Sequence, residues 1–90
     1  MKNEITQMAK TLKAIANEKR LKVLYNILDE EMSVGEIELR VGLSQSALSQ
    51  HLAVLRANDI VKTRRNAQTI FYALKDDRGR AILKILLDVF

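Results

Sequence analysis

SVGEIELRVGLSQSALSQHL occupies residues 33–52, and its pattern decides the fold. Ser33 and Glu36 fit a capping box, in which each side chain satisfies a backbone amide at the start of a helix. Val34, Ile37 and Val41 form the apolar stripe of that short helix. Gly42 can take the left-handed conformation that closes it. Leu43 follows, and Ser44 is placed to cap a further helix. On that helix Leu48, Leu52 and Leu55 share one face. A short helix, a glycine turn and a second helix make a helix-turn-helix.

Working outward, Ile5, Met8, Ala9, Leu12, Ile15 and Ala16 follow helical spacing. Asn17 is placed to cap a second helix carrying Leu21, Leu24 and Leu28, with Val23 and Ile27 beside them. That helix is expected to end in the acidic cluster Asp29-Glu30-Glu31. Beyond Asn58-Asp59 the period changes to two. IVKTRR (60–65) and TIFYAL (69–74) are rich in β-branched and aromatic residues, and Asn66-Ala67-Gln68 between them predicts a hairpin tip. Asp76 or Asp77 can cap a last helix running to Phe90. The expected architecture is mainly α with a β-hairpin, a winged helix-turn-helix in the order α-α-α-α-β-β-α. With no proline and only three glycines, residues 1–90 show no linker and read as one domain.

The 90 residues carry 15 Lys and Arg against 11 Asp and Glu, a formal net charge of +4. That balance suggests an anionic partner. The absence of cysteine excludes disulfides, thiol switches, iron–sulfur clusters and cysteine-ligated zinc within these residues. His51 is the single histidine, so a transition-metal site would have to rely on carboxylates; no metal and no cofactor are expected. The apolar runs are too short to span a bilayer. The first ten residues carry Lys2, Glu4 and Lys10, unlike a signal peptide. The expected compartment is the cytoplasm.

The helix after Ser44 has an unusual polar face. Solvated faces usually carry Lys and Glu, which favour helix more than Ser does, yet no charged side chain lies between Ser44 and Val54. Gln45, Ser46, Ser49 and Gln50 project away from the leucine side, within two turns of the cap. Such side chains suit base edges in the major groove: Gln pairs with adenine, and Ser serves either sense. The amides at Ser44 suit a phosphate. His51 joins this candidate DNA-binding set, through a phosphate contact or a helix–helix hydrogen bond. The hairpin offers Lys62, Arg64, Arg65, Asn66 and Gln68 for the sugar-phosphate backbone, and its three cations face only Asp59 in that segment. Phe71 and Tyr72 are expected to pack the core and the wing root.

The last helix is apolar over a wider arc than one small core needs. Its Ile82, Leu83, Leu86 and Phe90, with Ile5, Met8 and Leu12 of the first helix, are the candidate dimer surface. A chain of this size buries only about 60–65% of its unfolded surface, so a dimer would help it. Residues 1–16 and 77–90 are therefore expected to be dimerisation helices.

Residues 12–74, from LKAIANEKRL through LSQSALSQHLAVLR to TRRNAQTIFYAL, resemble the ArsR/SmtB family of bacterial winged-helix transcriptional regulators. SVGEIELRVGLSQSALSQHL is similar to its HlyU-like and BigR-like branch. The resemblance implies a homodimer joined through the first and last helices, bound to an imperfect palindrome in promoter DNA. The family's base-reading positions fall on Gln45, Ser46, Ser49 and Gln50, and its wing on residues 64–68. It implies a bacterial cytoplasmic protein associated with the nucleoid. Metal-sensing members carry Cys-x-Cys where this chain has Ser33 and Gly35, and others use histidine on the last helix, which has none here. Thiol-switched members have a cysteine where this chain has Tyr25. The resemblance thus supports DNA binding and leaves metal and thiol sensing without residues.

The expected function is a dimeric, sequence-specific repressor of transcription acting on double-stranded DNA. An activator that displaces a silencing protein is the alternative, and a protein-interaction module on the same fold is a further one. No nucleophile–base pair, phosphate loop or metal cluster suggests an enzyme.

Overall fold

The computed structural model describes residues 2–90. The chain runs α1 (Lys2–Ile15), α2 (Glu18–Asn26), β1 (Met32–Ser33), α3 (Val34–Val41), α4 (Gln45–Ala57), β2 (Val61–Asn66), β3 (Thr69–Leu74) and α5 (Asp77–Val89). This is a winged helix-turn-helix, as expected.

Local chemistry sets the helix ends. Asn17 Oδ1 accepts from the amides of Lys19 and Arg20 at 2.9 and 3.0 Å. Ser33 Oγ accepts from the Glu36 amide at 3.2 Å, and the Glu36 carboxylate reaches back to Ser33. Gly42 closes α3 at φ 73°, ψ 32°, donating to Glu38 O; a residue with a Cβ would be strained there. Ser44 Oγ accepts from the Ala47 amide at 3.2 Å. Asp76, rather than Asp77, caps α5 through the Arg78 amide.

Two expectations change. The second helix ends at Asn26, before the acidic cluster. Its carbonyl end is met from outside: Arg80 on α5 donates from Nε and Nη2 to Leu28 O at 3.2 and 3.0 Å. The chain is then free to extend into β1, which the hairpin expectation did not include. Met32 pairs with Tyr72 and Ser33 with Phe71, so the sheet has three antiparallel strands in the order β1-β3-β2. The hairpin itself pairs Val61 with Leu74 through Asn66 with Thr69, leaving Ala67 and Gln68 as the turn. Ala67 sits at φ 56°, an uncommon conformation for a residue with a Cβ.

Val23, Leu24, Ile27, Ile37, Leu48 and Leu55 are fully buried, drawn from α2 and its C-cap, α3 and α4. Each such side chain contributes about 1.5–3 kcal/mol by leaving water. Leu83 joins them with 0% of its surface exposed. It is therefore a core residue of the protomer, and its expected place on a dimer surface is corrected: a side chain with no exposed area cannot meet a second chain. Ile82 and Leu86 are half-buried, whereas Ile5, Met8, Leu12 and Phe90 are exposed, together with Ile85, Leu87 and Val89.

Candidate nucleic-acid interface

The buried leucines of α4 fix which way its other side chains point. With Leu48, Leu52 and Leu55 against the core, Gln45, Ser46, Ser49 and Gln50 are all exposed. Gln45, Ser49, Ala53 and Arg56 line one side of a groove whose other wall is Ile70 and Tyr72 of β3. Those four α4 positions recur at i, i+4, i+8 and i+11, one continuous stripe of a helix. Arg56 is outside the set expected from the sequence, because it follows the uncharged segment that defined that set. The stripe spacing was the available signal. Ser46 and Gln50 are exposed outside this groove, and the Ser44 hydroxyl is used at the helix cap.

His51 is half-buried. Its Nδ1 lies 3.4 Å from Nη1 of Arg20 on α2, and since arginine carries only donors, that ring nitrogen accepts. The same guanidinium donates to the carbonyls of Lys13 and Ala14 at the end of α1. Of the two roles open to His51, the helix–helix one is present, which turns this nitrogen away from the outer face of α4.

The wing divides its cations between two faces. Side chains alternate along a strand. Val61, Thr63 and Arg65 therefore share a face with Ile70, Tyr72 and Leu74, the face that buries Val61 and Leu74 and borders the groove. Lys62 and Arg64 share the opposite face with Phe71. There Arg64 lies 4.5 Å over the Phe71 ring, and its Nε donates to both carboxylate oxygens of Glu31 at 3.1 and 3.2 Å while Nη2 donates to Oε1. That hydrogen bonding, with the nearby charges of Arg64 and Lys62, holds the Glu31 carboxyl below its usual range. The Arg64 guanidinium is raised by the same pair. Arg64 thus lies on the face opposite Arg65 and is held by a carboxylate, while Arg65, Asn66 and Gln68 are exposed at the wing. Tyr72 packs against the core at the wing root, as expected, whereas Phe71 is half-buried on the opposite face of the sheet, beneath Arg64.

Among the described residues no cluster of three or more His, Asp or Glu side chains is arranged to hold a metal ion. Among the described residues no helix is long and apolar enough to cross a membrane.

The family model described as "Bacterial regulatory protein, arsR family" matches residues 17–63, from the α2 cap into β2. The chain is 55% identical over 75 residues to the transcriptional activator HlyU of Vibrio cholerae, covering 83% of this chain and 69% of that protein. It is 53% identical over 79 residues to the nodulation protein NolR of Rhizobium meliloti, covering 88% and 65%. Against the biofilm growth-associated repressor of Xylella fastidiosa it is 37% identical over 90 residues, covering 100% and 79%. It spans about two thirds of the length of the first two. The solved structure of HlyU from Vibrio cholerae superposes with a TM-score of 0.95 at 47% identity, covering 100% of this chain and 98% of that one. A helix-turn-helix framed by these caps, a three-stranded wing and this similarity across the whole chain place it in the ArsR family of bacterial transcriptional regulators.

Proposed function

We propose that the chain binds duplex DNA as a sequence-specific homodimer, with α4 in the major groove and the wing against the sugar-phosphate backbone of an imperfect palindrome. One observation carries this reading. The exposed face of α4 offers Gln45 and Ser49 beside a groove walled by Ile70 and Tyr72, and no charged side chain precedes Arg56 on that helix. Amide and hydroxyl side chains near a helix N-terminus match base edges in the major groove. Gln45, Ser46, Ser49 and Gln50 read bases in this account. The free amides near Ser44 meet a phosphate, as do Lys62, Arg65, Asn66 and Gln68, with Arg56 added at the groove.

The partner copy covers Ile5, Met8 and Leu12 of α1 and Ile82, Leu86 and Phe90 of α5, together with the exposed Ile85 and Leu87. The simplest output is repression by occluding a promoter in the bacterial cytoplasm, at the nucleoid. The activator name of the 55% identical HlyU favours a second reading, activation by displacing a silencing protein. Neither output uses metal or thiol chemistry, because the residues for it are absent from this sequence.

A gel shift against the gene's own upstream region at 0.1 M salt tests the reading. A retarded band that survives excess random duplex supports it. Failure to bind any duplex would leave the fold as a protein-interaction module.

A further inference from the structure

Glu31 and Arg64 are 33 residues apart in sequence, and the three strands bring them together. Ser33 pairs with Phe71 on one side of β3, and Arg64 pairs with Phe71 on the other. The Arg64 side chain therefore crosses over the Phe71 ring, in the cation–π geometry already described, to the carboxylate that leads into β1. A two-pronged carboxylate and a ring face together hold a guanidinium far better than either alone. Both ends remain accessible: the side chains of Arg64 and Glu31 are 52% and 39% exposed. Arg64 also lies three residues before Ala67 in the turn of the wing. It has the reach and charge to serve a DNA phosphate, and it is held instead by a carboxylate.

We infer that Glu31 is a positioning residue for DNA binding: it withholds Arg64 from the phosphate backbone and so limits the sequence-independent part of the affinity. This rests on the DNA-binding reading of the wing above. Phosphate oxygens and the Glu31 carboxylate compete for the same five-donor fork. While the carboxylate wins, the pair is neutral and releases no counterion when the wing docks. Removing the carboxylate adds one phosphate contact per protomer, which helps every duplex alike because phosphates carry no sequence information.

The test is a double-mutant cycle of wild type, Glu31→Gln, Arg64→Gln and the double variant. Each is titrated against an operator duplex and a random duplex between 50 and 200 mM salt. Glu31→Gln is expected to steepen the plot of log affinity against log salt by about 0.9 per protomer. It is expected to tighten both duplexes by about three- to fivefold at 0.1 M salt, the range an exposed ion pair can oppose, with the operator-to-random ratio unchanged. Arg64→Gln alone is expected to leave the slope at the wild-type value while weakening both duplexes slightly, because Glu31 is then an unpaired negative charge, and Glu31→Gln in that background to recover that loss without steepening the slope. Glu31→Ser, which removes the charge with a different shape, is expected to repeat the Glu31→Gln slope.

Three results overturn the inference. A slope already reduced by Arg64→Gln would show that Arg64 meets phosphate in the wild-type complex. An unchanged slope in both Glu31 variants would show that nothing was withheld. An equal steepening by Glu31→Gln with Arg64 absent would assign the effect to plain loss of negative charge. Wild-type protein that binds neither duplex would overturn the DNA-binding reading itself, and this inference with it. Salt-dependent wild-type binding with unresponsive Glu31 variants would overturn this inference alone.

Discussion

The phenol of Tyr25 on α2 donates to the carbonyl oxygen of Leu83 on α5 at 2.8 Å, across 58 residues of sequence. One turn from that contact on α5, Arg80 donates to Leu28 O beyond the end of α2. The helix that carries the wide apolar arc is thereby tied to the helix packed behind the helix-turn-helix. Tyr25→Phe removes the hydrogen bond without changing the packing volume. It is expected to lower unfolding free energy by about 0.5–1.5 kcal/mol, read from denaturant midpoints at constant slope. An unchanged midpoint would show that water replaces the bond at no cost.

Leu83 and its neighbours on α5 divide into two functions that one experiment separates. Leu83→Ala is expected to cost about 2–5 kcal/mol of stability by leaving a cavity. Ile85→Glu or Leu87→Glu alters exposed side chains and is expected to leave the folded protomer intact. Sedimentation equilibrium at micromolar concentration should give about twice the chain mass for the wild type and the single chain mass for the two charged variants. A wild-type protein that sediments as one chain would remove the dimer from the account.

Much of this was legible in the sequence because it is local. The caps at Asn17, Ser33, Gly42 and Ser44 each depend on residues within four positions, and the spacing of Leu48, Leu52 and Leu55 fixes the outward face of α4. What was not legible is set by distant partners. β1 is two residues long and is a strand only because β3 pairs with it. On α5 the apolar arc includes Ala81, Ile85 and Val89 on one line, Ile82 and Leu86 on another and Leu83 and Leu87 on a third, so periodicity alone could not choose Leu83 as the inward one. The Glu31–Arg64 pair has no local signal, and the alternation that parts Arg64 from Arg65 acquires meaning only once the faces of the sheet are known.

Acid should act on the Glu31–Arg64 pair in a defined direction. A carboxyl whose folded pKa lies below its unfolded value stabilises the fold above the unfolded pKa, and the effect is lost as pH falls through the folded pKa. The contribution is small because both groups are exposed and screened by solvent. The Glu31 carboxyl resonance is expected to titrate below an ordinary glutamate, and to return to the ordinary range in Arg64→Gln, because the arginine is the main cause of the shift. An ordinary midpoint in the wild type would show that the pair does not persist in solution.

Metals and thiol oxidants should leave DNA binding alone. Metal sites need several ligands of suitable softness, and redox switching needs cysteine; the chain has one histidine and no cysteine. Zinc, arsenite, peroxide and persulfide are expected to change operator affinity by less than about threefold, under ~0.7 kcal/mol, in titrations with and without each agent. A tenfold loss reversed by a chelator or a reductant would reveal a site built from His51 or from carboxylates across a dimer.

The central claim is that α4 reads bases while the wing holds the backbone, and Gln45→Ala compared with Arg65→Ala tests it most directly. Both variants are titrated against an operator, its single-base-pair variants and a random duplex over a salt series. Gln45→Ala is expected to relax the choice at one base pair, at a cost of about 1–3 kcal/mol on the operator, with random binding and the salt slope unchanged. Arg65→Ala is expected to weaken every duplex alike and to reduce the slope by about one unit per protomer. Equal losses on operator and random duplex for Gln45→Ala would contradict direct readout by α4.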